Sequence, residues 1–192
     1  LVMEYVEGPS LSRLLKALAA SRIRDARQSL PMPLDVALRI FTDTLAGLHA
    51  AHELTGPDGE PLRLIHRDMS PHNVLVGSDG IARITDFGVA RAESRLASTR
   101  TGSVKGKVMY MAPEQVKSLP IDRRADIYAA GAVLWEMLTG ERLVRADSDL
   151  AAMRMIVETE RQSPREIEAT VPEAIAAATM RAIAHDPSMR YP

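Results

Sequence analysis

Apolar positions recur along this chain with two different periods. Between Ser10 and Ala20, Leu11, Leu14, Leu15 and Leu18 share one face of a predicted short helix, with Ser10 at the capping position. From Leu34 to Leu54, the set Leu34, Ala37, Leu38, Phe41, Leu45, Leu48 and Ala51 predicts a long amphipathic helix whose first turn is favoured by Asp35. Asp126 to Leu138 is apolar nearly all round, so that helix should be buried, and Thr139-Gly140 should end it. Leu150 to Thr159 and Pro172 to His185 read as two further helices. The other period is that of strands. Leu1 to Val6 is a strand-type run broken by Glu7-Gly8-Pro9, and Val74-Leu75-Val76 and Ile81 to Ile84 flank the turn Gly77-Ser78-Asp79-Gly80 as a β-hairpin. The charged stretch 21–33, which ends in prolines, and the turn-rich stretch 55–61 read as connections. The fold class is α+β, mainly α, with short hairpins.

The hairpin carries the candidate chemistry. His66, Arg67, Asp68 and Asn73 lead into its first strand, and Asp86 leaves its second, so pairing the strands should bring Asp68, Asn73 and Asp86 together. Two carboxylates and an amide oxygen suit a hard cation. Mg²⁺ carried by a phosphorylated ligand fits, because it takes few protein oxygens and keeps positions for the substrate.

Composition narrows the alternatives without adding chemistry. The 192 residues are 46% hydrophobic and 26% charged with a net charge of -1, a globular balance that gives no general argument for nucleic acid or membrane binding. There is no cysteine, which excludes disulfides and thiolate metal sites and suits a reducing compartment. His49 and His52 stand three apart on a predicted helix, and a partly buried helix face explains them better than zinc.

Three motifs in order resemble the protein kinase catalytic core: His66-Arg67-Asp68 with Asn73 five residues after the aspartate, Asp86-Phe87-Gly88, and Ala112-Pro113-Glu114. The resemblance implies a kinase-like C-terminal lobe with hinge 1–9 and large lobe 10–192. The small lobe and the last helix of the family are then expected to be absent from residues 1–192, and the fragment by itself is expected to be inactive or nearly so. It implies that Asp68 orients the acceptor hydroxyl and takes its proton, and that Asn73 and Asp86 hold Mg²⁺. Met3, the backbone of Glu4 and Val6, and Leu75 would surround the adenine of ATP. Phe87 would set the position of Asp86, Gly88 would let the chain turn, and His66 would pack beneath the loop. Glu114 would pair with Arg190, and Asp126 would bind backbone N–H groups of the catalytic loop. The loop style and the segment before Ala112 look bacterial.

Two departures stand out. Ser70 occupies the position where serine/threonine kinases usually carry a catalytic-loop lysine, and Gly106-Lys107 replaces Gly-Thr. The expectation is that Lys107 supplies the missing charge near Asp68, since a transferring phosphoryl group needs a cation there whatever its backbone origin. Between Arg91 and Lys107 lie five basic residues against one acid, with Thr99, Thr101 and Ser103 as candidate phosphorylation sites that would pair with Arg67. The expected function is transfer of the ATP γ-phosphoryl group to a serine or threonine of a protein. The expected localisation is cytoplasmic, with a protein substrate, a kinase dimer for trans-autophosphorylation, no nucleic acid, and membrane attachment only through other segments. The competing readings are a kinase-like regulatory scaffold without catalysis and a small-molecule phosphotransferase. Intact Asp68, Asn73 and Asp86 argue against the first, and the long Ser/Thr-bearing segment against the second.

Overall fold

A computed structural model describes residues 4–22, 31–87 and 108–192. Helix α4 (Arg124–Thr139) is the spine: thirteen of its sixteen residues are buried. A helix that is apolar on every face needs neighbours on every face. Helix α2 (Leu34–His52) packs on one side of it and α7 (Glu173–Ala182) on another. At the α7 contact, a Cβ on Gly131 would stand 2.8 Å from the Ala182 side chain, so only glycine allows the helices this close. Gly140 ends α4 in the left-handed region (φ 71°), its N–H donating to Glu136 O at 2.8 Å. Leu48, Met69, Tyr128, Met137, Leu138 and Ile183 are among the largest fully enclosed side chains.

The remaining elements surround this spine. Helix α1 (Leu11–Arg22) packs on β1 (Val74–Val76), which pairs antiparallel with β2 (Ala82–Ile84) in the register Val74–Ile84, Leu75–Arg83, Val76–Ala82. Helix α2 lies against β2, and Asp43 on α2 accepts the Ala82 N–H at 3.0 Å. A short helix α3 (Pro113–Val116) follows a 3-10 turn at Val108–Tyr110, and both pack on α5 (Asp149–Glu158) around Val108, Val144, Ala152 and Ile156. Helix α6 (Pro164–Ile167) and a 3-10 turn at Pro187–Met189 complete the order.

The expected helices and hairpin are all present, with ends shifted by up to three residues. The expected strand Leu1–Val6 lies partly outside the described residues, and residues 4–9 form no strand. Their backbone is held to the hairpin by single bonds, Val76 N–H to Pro9 O at 2.9 Å and Ser78 N–H to Glu7 O at 2.7 Å. Pro9 has no N–H to return, so a ladder cannot continue. The Ser10 carbonyl opens α1, accepting from Arg13 and Leu14 as a residue at the capping position does. Among the described residues no helix is long and apolar enough to cross a membrane.

Candidate active site

The catalytic loop is held from below by one buried carboxylate. Asp126, in the first turn of α4 and 1% exposed, accepts the N–H of His66 on Oδ2 (2.8 Å) and the N–H of Arg67 on Oδ1 (2.9 Å). His52, at the end of α2, lies with Nε2 2.8 Å from Oδ2, and its N–H donates there because the carboxylate can only accept. Periodicity had placed His52 on a plain helix face, since helix spacing cannot show a contact 74 residues away. Arg67 takes a left-handed backbone (φ 64°), a conformation unusual for a residue with a Cβ and tolerated where surrounding bonds hold it. Its N–H is held by Asp126, and its carbonyl accepts from the Gln115 side chain at 3.1 Å. Gln115 also accepts the Ala112 N–H at 2.9 Å, which satisfies a free donor at the start of α3. Gln115 thus ties the Ala112-Pro113-Glu114 helix to the peptide just before Asp68. Sequence reading missed it, and its one signal was a glutamine three residues after Ala112, placed to accept an N–H at the start of a short helix.

His66 joins the two halves of the site. It is fully buried. The Asp68 N–H donates to its Nδ1 (3.3 Å), which fixes the proton on Nε2, and Nε2–H donates to Thr85 O (3.0 Å). Thr85 in turn donates its N–H to Asn73 O at 2.9 Å. These links carry Asp86 to the loop, as hairpin pairing led us to expect. Asn73 is buried and its amide nitrogen donates to Asp68 O at 2.8 Å, which turns its side-chain oxygen into the atom to offer a cation. Asp86 is exposed and takes φ 57°, so the left-handed turn falls on the aspartate itself. Phe87 is half-buried, its ring centroid 4.7 Å from that of His66. The exposed Asp86 carboxylate and the Asn73 amide oxygen are the oxygen donors on these two segments. That donor set fits Mg²⁺, which keeps water and phosphate ligands, and falls short of the closed cage Ca²⁺ would take.

Other expected residues sort by position. Leu75 is half-buried on β1, opposite Arg83 and bridged to Ser10. Glu4 is exposed and Val6 half-buried beside the hairpin, where Glu4 lies 3.7 Å from Arg83. Ser70 is 1% exposed, and its hydroxyl has no hydrogen-bond partner among the described residues. Arg67 is exposed, while its backbone N–H is held by Asp126. Glu114 and Arg190 form the expected buried pair, Nη1 to Oε1 at 2.6 Å and Nη2 to Oε2 at 2.9 Å. Met3, Gly88, Thr99, Thr101, Ser103 and Lys107 lie outside the described residues.

A sequence model of the protein kinase domain matches residues 1–191. The chain belongs to the protein kinase domain family. It is 45% identical over 190 residues to the tyrosine-protein kinase MasK of Myxococcus xanthus, covering 99% of this chain and 28% of that protein. It is 37% identical over 194 residues to the serine/threonine-protein kinase PksC of Streptomyces coelicolor, covering 100% of this chain and 32% of that one. It is 35% identical over 193 residues to PknA of Corynebacterium glutamicum, covering 100% and 36%. The chain therefore spans about a third of the length of these curated kinases. The kinase family uses ATP with Mg²⁺ for phosphoryl transfer, and the bonds around Asp68, Asn73 and Asp86 belong to the C-terminal lobe of that fold.

Proposed function

We propose that the protein carrying this chain is an ATP-dependent protein kinase that phosphorylates serine or threonine. The observation that supports this most is the linkage of Asp68, Asn73 and Thr85-Asp86 through His66. A chain that had kept the fold as a scaffold alone would have no use for an exposed acid held in a left-handed turn beside a buried amide. In this reading Asn73 and Asp86 hold Mg²⁺, which supplies neutralisation of the phosphate charge when bound. Asp68 accepts the proton of the acceptor hydroxyl as its oxygen bonds to phosphorus and the ADP oxygen leaves. Asp126 and Gln115 keep the loop in place around that exchange.

The test is transfer from radiolabelled ATP by the full-length protein. Asp68→Asn should lower kcat by about a hundredfold or more while nucleotide binding persists. Equal turnover by the variant overturns the assignment. Tyrosine specificity is the second reading, favoured by the 45% identity to a named tyrosine kinase and by Ser70 standing in place of lysine. Acid hydrolysis of the labelled product separates phosphoserine, phosphothreonine and phosphotyrosine. Two further parts of the reading concern residues outside the described ones. Lys107 supplies the phosphate-facing charge, so Lys107→Ala should cut kcat, and unchanged turnover refutes it. Phosphate on Thr99, Thr101 or Ser103 pairs with Arg67 and orders the loop. Mass spectrometry finding none of these phosphorylated in active protein refutes that. The site would act on a protein substrate, with a second copy as the partner for trans-autophosphorylation.

A further inference from the structure

A cavity of about 500 Å³ opens at the foot of the catalytic loop, between the end of α2, the stretch 61–65 and the residues that lead into α4. None of Asp68, Asn73 and Asp86 lines it. Its walls are nevertheless the pieces that set the loop. Leu64 and Ile65 directly precede His66. His52 holds the same Asp126 oxygen that accepts the His66 N–H. An occupant would therefore touch both the histidine that braces Asp126 and the segment that runs into the peptides Asp126 binds.

Part of the wall is apolar. Leu64, Ile65 and Ile121 line the cavity and are only half-buried, which leaves apolar surface for a ligand to cover. The charges around it do not cancel. Glu53 is paired with Arg123 at 2.7 Å, and Asp122 is held by Arg124 at 2.6 Å. Both acids of the wall are thus matched. Arg63 is exposed and makes no hydrogen bond or ion pair with another described residue. Its backbone is left-handed (φ 48°). Glycine or asparagine takes that conformation at lower cost, and neither brings a cation. The loop ahead of it is closed by Leu62 N–H to Leu54 O and Gly56 N–H to Glu60 O, each at 2.8 Å, so its position is fixed. A cationic ligand would meet a like charge here, and a neutral one would leave the guanidinium unmatched. An anion on an apolar body satisfies both parts of the wall, and the volume suits a small molecule.

We propose that this cavity binds a small carboxylic acid with an apolar body, its carboxylate on Arg63 and its body against Leu64, Ile65 and Ile121, and that occupancy favours the held form of the catalytic loop. The site stands apart from the kinase reading above; the effect on the loop rests on it. The test titrates the full-length protein with phenylacetate, phenylethanol, phenethylamine and acetate, followed by ligand-observed NMR. Phenylacetate should bind about fivefold more tightly than phenylethanol, the scale of a partly exposed ion pair. Phenethylamine should bind more weakly than the alcohol, and acetate, which has no apolar body, should show no saturation over the same range. Arg63→Gln should bring phenylacetate to the level of the alcohol and leave the alcohol unchanged, a result misfolding cannot produce because it removes both. Arg63→Lys should keep part of the preference. Equal affinity for acid and alcohol in wild type, tighter binding of the amine, or an unchanged preference in Arg63→Gln each overturns the site. A ligand that binds the form in which His52 and Ile65 are in place shifts the population toward that form. Turnover should therefore rise with phenylacetate along the binding curve, and the curve should move about fivefold to higher concentration in Arg63→Gln. Binding with unchanged or reduced turnover refutes the effect on the loop and leaves the site standing. A protein that binds phenylacetate through Arg63 but transfers no phosphoryl group to any peptide or to itself refutes the kinase reading, and with it the effect on the loop.

Discussion

Two buried carboxylates, Glu114 and Asp126, are almost equally hidden, at 5% and 1% exposure, and are held in different ways. Glu114 faces a guanidinium. Arg190 binds both of its oxygens and also donates to the carbonyls of Ala184 (2.7 Å), Arg124 (2.9 Å) and His185 (3.1 Å), with its plane 4.9 Å from the Tyr128 ring. Every contact there ties one helix end to another. Asp126 faces no arginine; it collects two backbone N–H groups of the catalytic loop and the His52 ring. Burial alone therefore does not say what an acid does. A charge matched by a charge joins parts of the scaffold, whereas a charge matched by peptide dipoles sets the conformation of a loop that must be held and yet carry chemistry.

The largest effect should fall on the first pair. Arg190→Ala leaves Glu114 buried without its counter-charge, which costs about 3–5 kcal/mol. Thermal denaturation of the full-length protein should show the loss, and whatever fraction stays folded should keep its turnover. Arg190→Lys should recover only part of it, because a lysine cannot make the paired contact. A melting temperature near that of the unmodified protein for Arg190→Ala would break the contrast.

Asp126→Asn should do less to stability and more to rate. The amide keeps the shape but turns one acceptor into a donor that faces a peptide N–H, costing about 1–3 kcal/mol. Turnover per folded molecule should fall by about ten- to a hundredfold, because Asp68 directly follows the peptide that moves. If Asp126→Asn and Arg190→Ala lowered turnover per folded molecule equally, the two acids would be doing the same work.

Gln115 offers a finer separation. Its oxygen caps α3 and its nitrogen holds the Arg67 carbonyl. Gln115→Glu keeps the cap and removes the donor; Gln115→Ala removes both. We expect both to lower kcat by about fivefold, the scale of one hydrogen bond of ~1 kcal/mol, with the KM for ATP unchanged. Only the alanine variant should also lower the melting temperature. Full kcat in Gln115→Glu would show that the bond to Arg67 positions nothing.

These contrasts mark where the sequence was legible. Local pattern was enough for α2, α4 and the hairpin, because the apolar period and the Gly/Asp turn are strong signals. Asp126, Glu114 and Arg190 were placed through the resemblance to kinases. Gln115 and His52 were missed for one shared reason: each acts on a partner 48 or 74 residues away, and nothing in the neighbouring sequence marks such a bond. Residues 4–6, the described part of the expected strand Leu1–Val6, form none: composition favours extension, while the bonding that makes a strand depends on a neighbour. Ser70 was read for the charge it lacks; that its hydroxyl is buried, with no partner among the described residues, could only be seen in three dimensions.

The smallest effect belongs to an acid on the surface. Asp79 in the hairpin turn accepts Arg83 Nη2 at 2.8 Å and the Ile81 N–H at 3.0 Å. The Arg83 hydrogen bond, with the Ile81 amide behind it, holds its pKa at about 2, below the ordinary 3.8. A carboxyl whose folded pKa is depressed contributes stability that is present above its unfolded pKa and lost as pH falls through the folded one. The window here runs from about 3.8 down to about 2. Asp79 is exposed, so water screens the pair. Asp79→Asn should therefore move the melting temperature at pH 7 by less than about 2 °C. Arg83→Ala should return the Asp79 titration, followed by NMR, toward 3.8. A shift on the scale of Arg190→Ala would mean that the hairpin, and with it the strand that follows Asn73, depends on a surface pair. The distinction between buried and exposed acids would then have to give way to one based on which loop each acid holds.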